Sequence, residues 1–336
     1  MSVETKNAAA REPWLRRLRH NPALPVYVIT LLVFGGALLT SESFRSPYNL
    51  NNVIIQMVAL GVAALGQSFA ILAGDVDLCV GGVLSLATVL CATLMKDSLS
   101  SMLAVSALCV ASGLLIGVIN GVLTTVIKLD AMVTTFASNS MLMGFALWIL
   151  PSPGGEIPYE YMAWIDITLW QVPLPLILLL VLLLASHFIL DKTVLGFHIR
   201  AVGGGPRSAF TSGVSLLKVK IEAHAIAGLM ASLAGLFLAA RMGSGDALAG
   251  VPFSMDSMTA VIAGGAAFST GVGSVMGSTA AAFLITVLGN AFNHWGVSTY
   301  WQYVFKGLLL VIAVTGSAFR IRLAMRRRVK KERDGR

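Results

Sequence analysis

The chain has 336 residues, of which 56% are apolar and only 12% are charged. Soluble domains carry about 25% charged residues, so this composition excludes an ordinary soluble globular protein. The formal net charge of +8 does not indicate a nucleic-acid partner, because the basic residues cluster beside apolar runs, at 6–19, 192–220 and 320–336. Such clusters are typical of the cytosolic ends of membrane spans, where they also attract anionic lipid headgroups.

Apolar runs recur along the chain and predict an all-α polytopic membrane protein with about ten spans. The predicted spans are 23–40, 52–73, 78–95, 101–127, 131–150, 172–190, 217–240, 257–268, 272–292 and 299–319. The eighth is too short to cross a bilayer as one regular helix, so we expect it to be broken or partly re-entrant. The domains are then a tail at 1–22, a transmembrane domain at 23–319 and a basic tail at 320–336.

Charge predicts the orientation of these spans. The basic clusters place both termini and the loop 191–217 in the cytosol. The loop 151–171 then lies outside, and it contains Glu156, Glu160 and Asp166 but no Lys or Arg. One missed span before this loop would reverse the pattern, so the charges support an even count.

The second to fifth and seventh to tenth spans form a predicted inverted repeat. Asp77 precedes a glycine-containing helix in the first set, and Asp256 precedes one in the second. By the predicted orientation the first helix starts inside and the second outside. We expect each aspartate to cap the helix that follows it. Contact with a polar substrate is the alternative for both.

Several polar side chains lie inside or beside the apolar runs. The amides are candidates for hydrogen bonds between helices or for lining a polar pathway; they are Gln67, Asn120, Asn139 and Asn290. The titratable groups are expected to anchor helix ends at the interface rather than to form a proton path; they are His187, Glu222, His224 and Lys306.

The motifs of common catalytic and nucleotide sites are missing from the sequence. No G-x-x-x-x-G-K-[ST] motif is present, so we do not expect this chain to bind ATP. Cys79, Cys91 and Cys109 lie in apolar runs, with no CxxC pair and no His at ligand spacing. They are expected to be core residues, and no catalytic or metal site is predicted.

The polar loop DKTVLGFHIRAVGGGPRSAFTSGVSLLKVK, at 191–220, separates two long apolar runs. Its glycines at 203–205 are expected to prevent one continuous helix, and Pro206 fits the first turn of a new helix. About two turns over 206–212, ending at Gly213, would present Arg207, Ala209 and Phe210 as an apolar knob with a basic rim. Such a knob suits a groove on a soluble partner. An ordinary connecting loop is the alternative.

Four blocks resemble the ribose-type monosaccharide permeases of ABC importers, a type II family that also contains branched-chain amino acid permeases. The blocks are GDVDLCVGGVLSL, GFHIRAVGGGPRSAFTSGV with the helix after it, FSMDSMTAVIAGGAAFSTGVGSVMGS and GVSTYWQYVFKGLLLVIAV. The resemblance that these blocks carry covers nearly the whole chain after residue 40. The sequence departs from the family pattern at Cys79, Gly205 and Ser208, and 128–142 lacks the typical Pro and Gly.

The resemblance implies a transport subunit of the bacterial inner membrane rather than an enzyme. A separate ATPase would bind ATP and Mg²⁺, a periplasmic binding protein would deliver sugar, and a second permease subunit would complete the pathway. The resemblance assigns ATPase coupling to the 191–217 loop; the residues are Gly196, Arg200, Ala201, Gly203, Gly204, Pro206, Arg207, Ala209, Phe210 and Gly213.

Other substrates and classes remain as alternatives. The same machine could carry branched-chain amino acids, a nucleoside or a furanosyl signalling molecule. A secondary transporter needs no ATPase, but the chain lacks an acidic ion-coupling site. A membrane-embedded enzyme needs a polar catalytic cluster, which the sequence does not contain.

Overall fold

A computed structural model describes residues 23–170 and 172–334, with side chains up to residue 316. The predicted N-terminal tail at 1–22 lies outside the described residues. Thirteen α-helices are described. They are α1 Leu24–Thr40, α2 Pro47–Leu72, α3 Val80–Leu94, α4 Leu99–Thr125, α5 Ala131–Ile149, α6 Tyr159–Ala163, α7 Leu174–Lys192, α8 Val194–Gly204, α9 Pro206–Thr211, α10 Leu216–Met242, α11 Val251–Ala263, α12 Val275–His294 and α13 Thr299–Asp334.

Each of the ten predicted spans overlaps one helix, which supports the polytopic helical class. In the described part of the chain, six helices are long and apolar enough to cross a membrane; they are α2, α4, α5, α7, α10 and α12. Three shorter apolar helices are α1, α3 and α11. The count of ten and the inverted repeat stay predictions. The backbone of α13 continues as helix to Asp334, through most of the predicted C-terminal tail.

The eighth span differs from its predicted position. Helix α11 begins at Val251, six residues before the predicted start at 257, and ends at Ala263. Pro252 fits its first turn, and the chain then turns at Gly265 with φ +98° and at Gly271 with φ +65°. At 13 residues the helix is about 20 Å long, too short for a hydrocarbon core of about 30 Å. The expectation of a short, interrupted span is therefore correct, but its boundaries were wrong.

The loop between α5 and α7 folds into compact local structure. It contains α6, a 3₁₀ turn at Trp164–Asp166 and a two-stranded hairpin in which β1 Thr168–Leu169 pairs antiparallel with β2 Val172–Pro173. The Trp164 ring packs edge-on against Phe237 of α10, with 5.7 Å between centroids. This contact holds the loop against the C-terminal end of α10.

Helices α2 and α10 form the centre of the molecule, and α4, α5 and α7 lie at its edge. The apolar stretches of α2 and α10 are 89% and 83% buried, whereas those of α4, α5 and α7 are 28%, 17% and 22% buried. The apolar faces of the outer helices therefore remain open to lipid or to another subunit.

Close backbone approach holds α4 against α10. A Cβ atom added at Gly117 would lie 2.2 Å from the carbonyl oxygen of His224, and one added at Gly228 would lie 2.1 Å from that of Gly113. Small residues at such crossings let two helix backbones touch, which is how helices associate in a membrane. Any larger side chain at these positions must push the helices apart.

We therefore expect Gly117→Ala to lower the free energy of unfolding by about 1–3 kcal/mol, the usual effect of overpacking. Thermal unfolding of the purified chain in detergent measures the change. Gly144→Ala is the matched control, because a Cβ atom there meets nothing within 4 Å. If the two variants unfold at the same temperature, the α4–α10 contact is not a principal source of stability.

Candidate functional site

The loop 191–217 is folded into two helices, α8 and α9, which link α7 to α10. Thr193 is the N-cap residue of α8, and its hydroxyl oxygen accepts a hydrogen bond from the N–H of Gly196 at 3.4 Å. Gly203 and Gly204 belong to α8, and only Gly205 breaks the helix. A new helix starts at Pro206, as predicted, but it ends at Thr211 rather than Ser212. The local prediction of a short second helix is confirmed.

The glycines of α8 serve close packing rather than helix breaking. A Cβ atom added at Gly203 would lie 1.9 Å from the carbonyl oxygen of Leu72, at the end of α2. One added at Gly196 would lie 2.4 Å from the carbonyl oxygens of Ile189 and Leu190. Helix α8 therefore packs directly against the turn after α2 and against the end of α7. The expectation that the glycine run 203–205 prevents one continuous helix is confirmed, but the break lies at Gly205 alone, after Gly203 and Gly204 have completed α8.

Arg200 connects α8 to two other parts of the chain. Its guanidinium donates to the Asp191 carboxylate, and Nη1 donates to the carbonyl oxygens of Gly271 and Gly273 at 3.3 and 3.1 Å. Gly271 permits this approach, because a Cβ atom there would lie 2.1 Å from the Arg200 carbonyl oxygen. Arg200 therefore links α8 directly to the loop 264–274, which lies between α11 and α12.

Helix α9 presents a different surface from the one predicted. Phe210 is 66% exposed, and Arg207 is also exposed. Ala209 is only 5% exposed and belongs to the hydrophobic core. It faces the protein interior, and the chain after it turns at Gly213 with φ +84°, where the N–H of Val214 donates to the Ala209 carbonyl oxygen at 3.0 Å. Ala209 therefore does not belong to the exposed knob, contrary to the prediction.

The remaining predicted residues of this segment divide into surface and interior positions. Ala201, Gly204 and Pro206 are exposed, whereas Gly196 and Gly203 are buried. The exposed residues lie on the same two short helices as Arg207 and Phe210. The buried set holds the two helices against the membrane domain.

A buried charged cluster lies beside α8, and the sequence prediction missed it. Lys220 Nζ donates to Asp75 Oδ1 at 2.7 Å, and the ring nitrogens of His224 lie 3.3 Å from Asp75 Oδ2 and 3.4 Å from Asp77 Oδ2. His224 is 0% exposed, so it does not anchor a helix end at the interface as predicted. The one feature of the sequence that could have indicated this cluster is the pair Asp75 and Asp77 between two apolar runs. Their partners on α10 are about 145 residues away in the chain, so the sequence did not identify them.

The environment of Asp75 follows from its position in the turn between α2 and α3. Burial alone raises the pKa of its carboxyl group, but hydrogen bonds from His224 and Lys220 have the larger combined effect and hold the pKa below its ordinary value. The cluster therefore ties this turn to α10 with charged hydrogen bonds. Gly203 of α8 packs against this same turn.

Asp77 and Asp256 do not cap helices in the way predicted. Asp77 Oδ1 accepts from the N–H of Cys79 at 2.8 Å, but the residue before α3 is Cys79, which has no side-chain cap. Asp256 is the sixth residue of α11, where a cap is impossible. Its Oδ2 accepts from Lys306 Nζ of α13 at 2.6 Å. Lys306 is therefore an ion-pair partner within the bundle rather than an interface anchor.

Three of the four predicted amides join helices. Asn139 Oδ1 accepts from the N–H of Gly82 at 2.7 Å, and Asn120 Oδ1 accepts from the Ser138 hydroxyl at 2.6 Å. Asn290 and Asn49 exchange reciprocal amide hydrogen bonds at 3.0 Å. Gln67 is 0% exposed and neither of its amide atoms has a partner among the described residues.

The chain matches a family model described as "Branched-chain amino acid transport system / permease component" over residues 49–314. This range contains α2 to α12 and both helices of the 191–217 loop. The chain belongs to this permease family. The family's members are transport subunits, so the permease is a multi-pass membrane protein with a transport role.

Curated relatives cover nearly the same length. The permease is 31% identical over 296 residues to the ribose import permease protein RbsC of Bacillus subtilis, covering 87% of this chain and 90% of that protein. It is 30% identical over 292 residues to the D-allose transport system permease protein AlsC of Escherichia coli K12, with 86% and 88% coverage. It is 26% identical over 298 residues to the L-arabinose ABC transporter permease protein AraH of Azospirillum brasilense, with 88% and 87% coverage. No solved structure shows significant similarity to the chain.

We expect Arg200→Ala to loosen the loop 264–274, because its carbonyl oxygens at 271 and 273 lose a charged donor. Hydrogen bonds to charged groups contribute about 1.5–3 kcal/mol, so amide hydrogen exchange in this loop should accelerate by about tenfold or more. Hydrogen–deuterium exchange mass spectrometry of the detergent-solubilised permease measures it. Arg207→Ala should leave exchange at 264–274 unchanged. Equal exchange in both variants would show that Arg200 does not hold the loop.

Proposed function

We propose that this permease is the membrane-spanning subunit of an ABC importer that carries a monosaccharide, driven by a separate ATPase. The observation that carries the proposal is the 191–217 loop, in which Phe210 and Arg207 are exposed on α9 while Arg200 and Gly203 fix α8 to the membrane domain. A loop that only connects two helices needs neither an exposed aromatic residue nor a helix, such as α8, that is fixed to the membrane domain. The relatives named for ribose, allose and arabinose import support a sugar as the substrate.

The proposed coupling runs from α9 into the bundle along two connections. The Phe210 side chain inserts into a groove of the ATPase, where burial of a ring of this size contributes about 1.5–3 kcal/mol. Displacement of α9 moves α8, which shifts the loop 264–274 through Arg200. It also shifts the turn at 73–79, on which Gly203 rests. Both connections reach short helices. Helix α11 is followed by glycine turns, and α3 is preceded by the turn that contains the charged cluster.

The rest of the machine follows from this division of labour. ATP and Mg²⁺ bind in the partner ATPase, and this subunit itself neither binds cofactors nor hydrolyses ATP. A periplasmic binding protein delivers the sugar, and a second permease subunit covers the open faces of the outer helices. The protein lies in the bacterial inner membrane with both termini cytosolic. The helix-rich loop 151–171 faces the periplasm.

A branched-chain amino acid is the second candidate substrate, since the family description names it. Uptake by cells that express the permease with its ATPase and binding protein distinguishes the two. We expect uptake of labelled D-ribose, D-allose or L-arabinose, competed by unlabelled sugar and unaffected by leucine. Leucine uptake without sugar uptake would replace the proposed substrate class.

We expect Phe210→Ala to reduce co-purification of the ATPase and sugar uptake together, by about tenfold, because the lost apolar burial is worth about 1.5–3 kcal/mol. The permease itself should fold normally, since Phe210 is 66% exposed. Quantitative pull-down from membranes and uptake assays measure the two effects.

Ala209→Glu is the matched comparison on the same helix. Its carboxylate would replace a methyl group in the core, so it should lower the thermal stability of the permease before any ATPase is added. Normal pull-down and normal uptake with Phe210→Ala would show that α9 is only a connector.

Thiol labelling tests the orientation. The native cysteines are free and buried, so background reaction is low. In intact cells with a permeabilised outer membrane, Glu160→Cys should react with an impermeant maleimide and Ser208→Cys should react only after cell lysis. The reverse pattern would invert the topology and place α9 away from any cytosolic ATPase.

A further inference from the structure

The ion pair between Asp256 and Lys306 lies within two apolar helices. Asp256 is the sixth residue of α11, and Lys306 is the eighth residue of α13. With a rise of about 1.5 Å per residue, these positions are about 8 and 11 Å from the starts of their helices. Charged side chains at such depth are costly and mark a functional site by default. The coupling mechanism above makes no use of this pair.

One side of the pair opens onto a cavity of about 390 Å³ between α11 and α13. The volume is within the range of small-molecule sites, about 300–1,000 Å³. On its other side the pair borders a cavity of only about 20 Å³. The Asp256 and Lys306 side chains are 15% and 33% exposed, so the pair is not fully enclosed. Charged side chains in membrane segments usually face a protein interior or a water-filled cavity rather than lipid tails, which makes this cavity a candidate site for a polar solute.

The cavity lining is mostly apolar, but it includes four polar side chains, which are Asp256, Thr259, Tyr303 and Lys306. The Lys306 ammonium has three N–H donors, one of which is used by Asp256, and the carboxylate has a second oxygen, Oδ1. Tyr303 lies on the same cavity, is 59% exposed, and offers both a ring face and a hydroxyl. A few convergent polar groups beside an aromatic ring are typical of a site that orients a small polar ligand.

A second large cavity provides a contrast within the same bundle. It measures about 320 Å³ and lies between α2, α7 and α10, where its lining is mainly aliphatic and also includes the rings of Tyr161, Trp164 and Phe237. No Asp, Glu, Lys or Arg lines that cavity. It suits a lipid chain, whereas the cavity between α11 and α13 suits a hydroxylated solute.

We propose that Asp256, Lys306 and Tyr303 form a low-affinity subsite for adjacent hydroxyl groups of the transported monosaccharide. The inference rests on the sugar-import function proposed above. The carboxylate accepts from one hydroxyl, the ammonium donates to the next, and the Tyr303 ring covers the apolar face of the sugar. Because α11 is joined to the loop 264–274, which Arg200 contacts, the site lies on an element that the coupling helices move.

Three variants separate sugar contact from helix tethering. Tyr303→Leu removes the ring but leaves the ion pair, while Tyr303→Phe retains the ring. The double variant Asp256→Lys with Lys306→Asp restores a pair of opposite charges but reverses their positions. Tyr300→Leu is the matched control, because Tyr300 is 84% exposed on the same helix and does not line the cavity.

Saturation-transfer difference NMR on the full-length permease in nanodiscs, with D-ribose, D-allose and L-arabinose as probes, measures sugar contact. Uptake by the complete importer in cells is the second measurement. We expect Tyr303→Leu and the charge exchange to reduce both by about tenfold. Tyr303→Phe and Tyr300→Leu should stay near wild type, and the charge exchange should keep wild-type thermal stability.

Wild-type NMR signals and uptake in the charge-exchange variant would overturn the subsite and leave a structural tether. Equal behaviour of Tyr303→Leu and Tyr300→Leu in both measurements would also overturn it. Both outcomes leave sugar uptake by the wild-type importer unaffected, so the proposed function would still stand. If the wild-type importer takes up leucine and none of the three sugars, the proposed function and the subsite fail together.

Discussion

The close approach of α4 and α10 determines where the other parts of this permease lie. In a bilayer, apolar side chains gain little by leaving the lipid, so helices associate through packing and polar contacts. Gly117 and Gly228 bring the two backbones into contact. This contact fixes the rotation of α10 and directs Lys220 and His224 toward the turn between α2 and α3. Without that rotation, the charged cluster at Asp75 and Asp77 has no partners.

Charged residues are scarce in the membrane domain, and several of them join elements far apart in sequence. Asp75 pairs with Lys220, Asp191 with Arg200, and Asp256 with Lys306. Each pair connects a helix to a turn, to α8 or to the half-length helix α11. Such contacts are directional, unlike apolar packing, so they fix the relative positions of the elements that they join. Helix α8 is also joined to the loop after α11, through Arg200 and the carbonyl oxygens of Gly271 and Gly273.

Much of the fold was predictable because hydropathy and helix breaking are local properties. Ten apolar runs matched ten helices, and Pro206 and Gly213 marked the second helix of the loop. The boundary of α11 was missed because its first turn, at Val251 and Pro252, follows a glycine-rich loop that reads as non-helical. The side of α9 that faces outward was also missed, since a six-residue helix has too few positions to show a periodic pattern.

The sequence by itself determined the class of protein, the approximate positions of its apolar helices and the location of the polar segment between α7 and α10, because the cost of exposing polar backbone to lipid depends only on local composition. The tertiary structure decided which residues of that segment are exposed, that His224 is buried between two aspartates, and that Asp256 meets Lys306 beside a cavity. The partners in these contacts are 50 residues or more apart. Only helix packing brings them together, and residue type alone does not specify it.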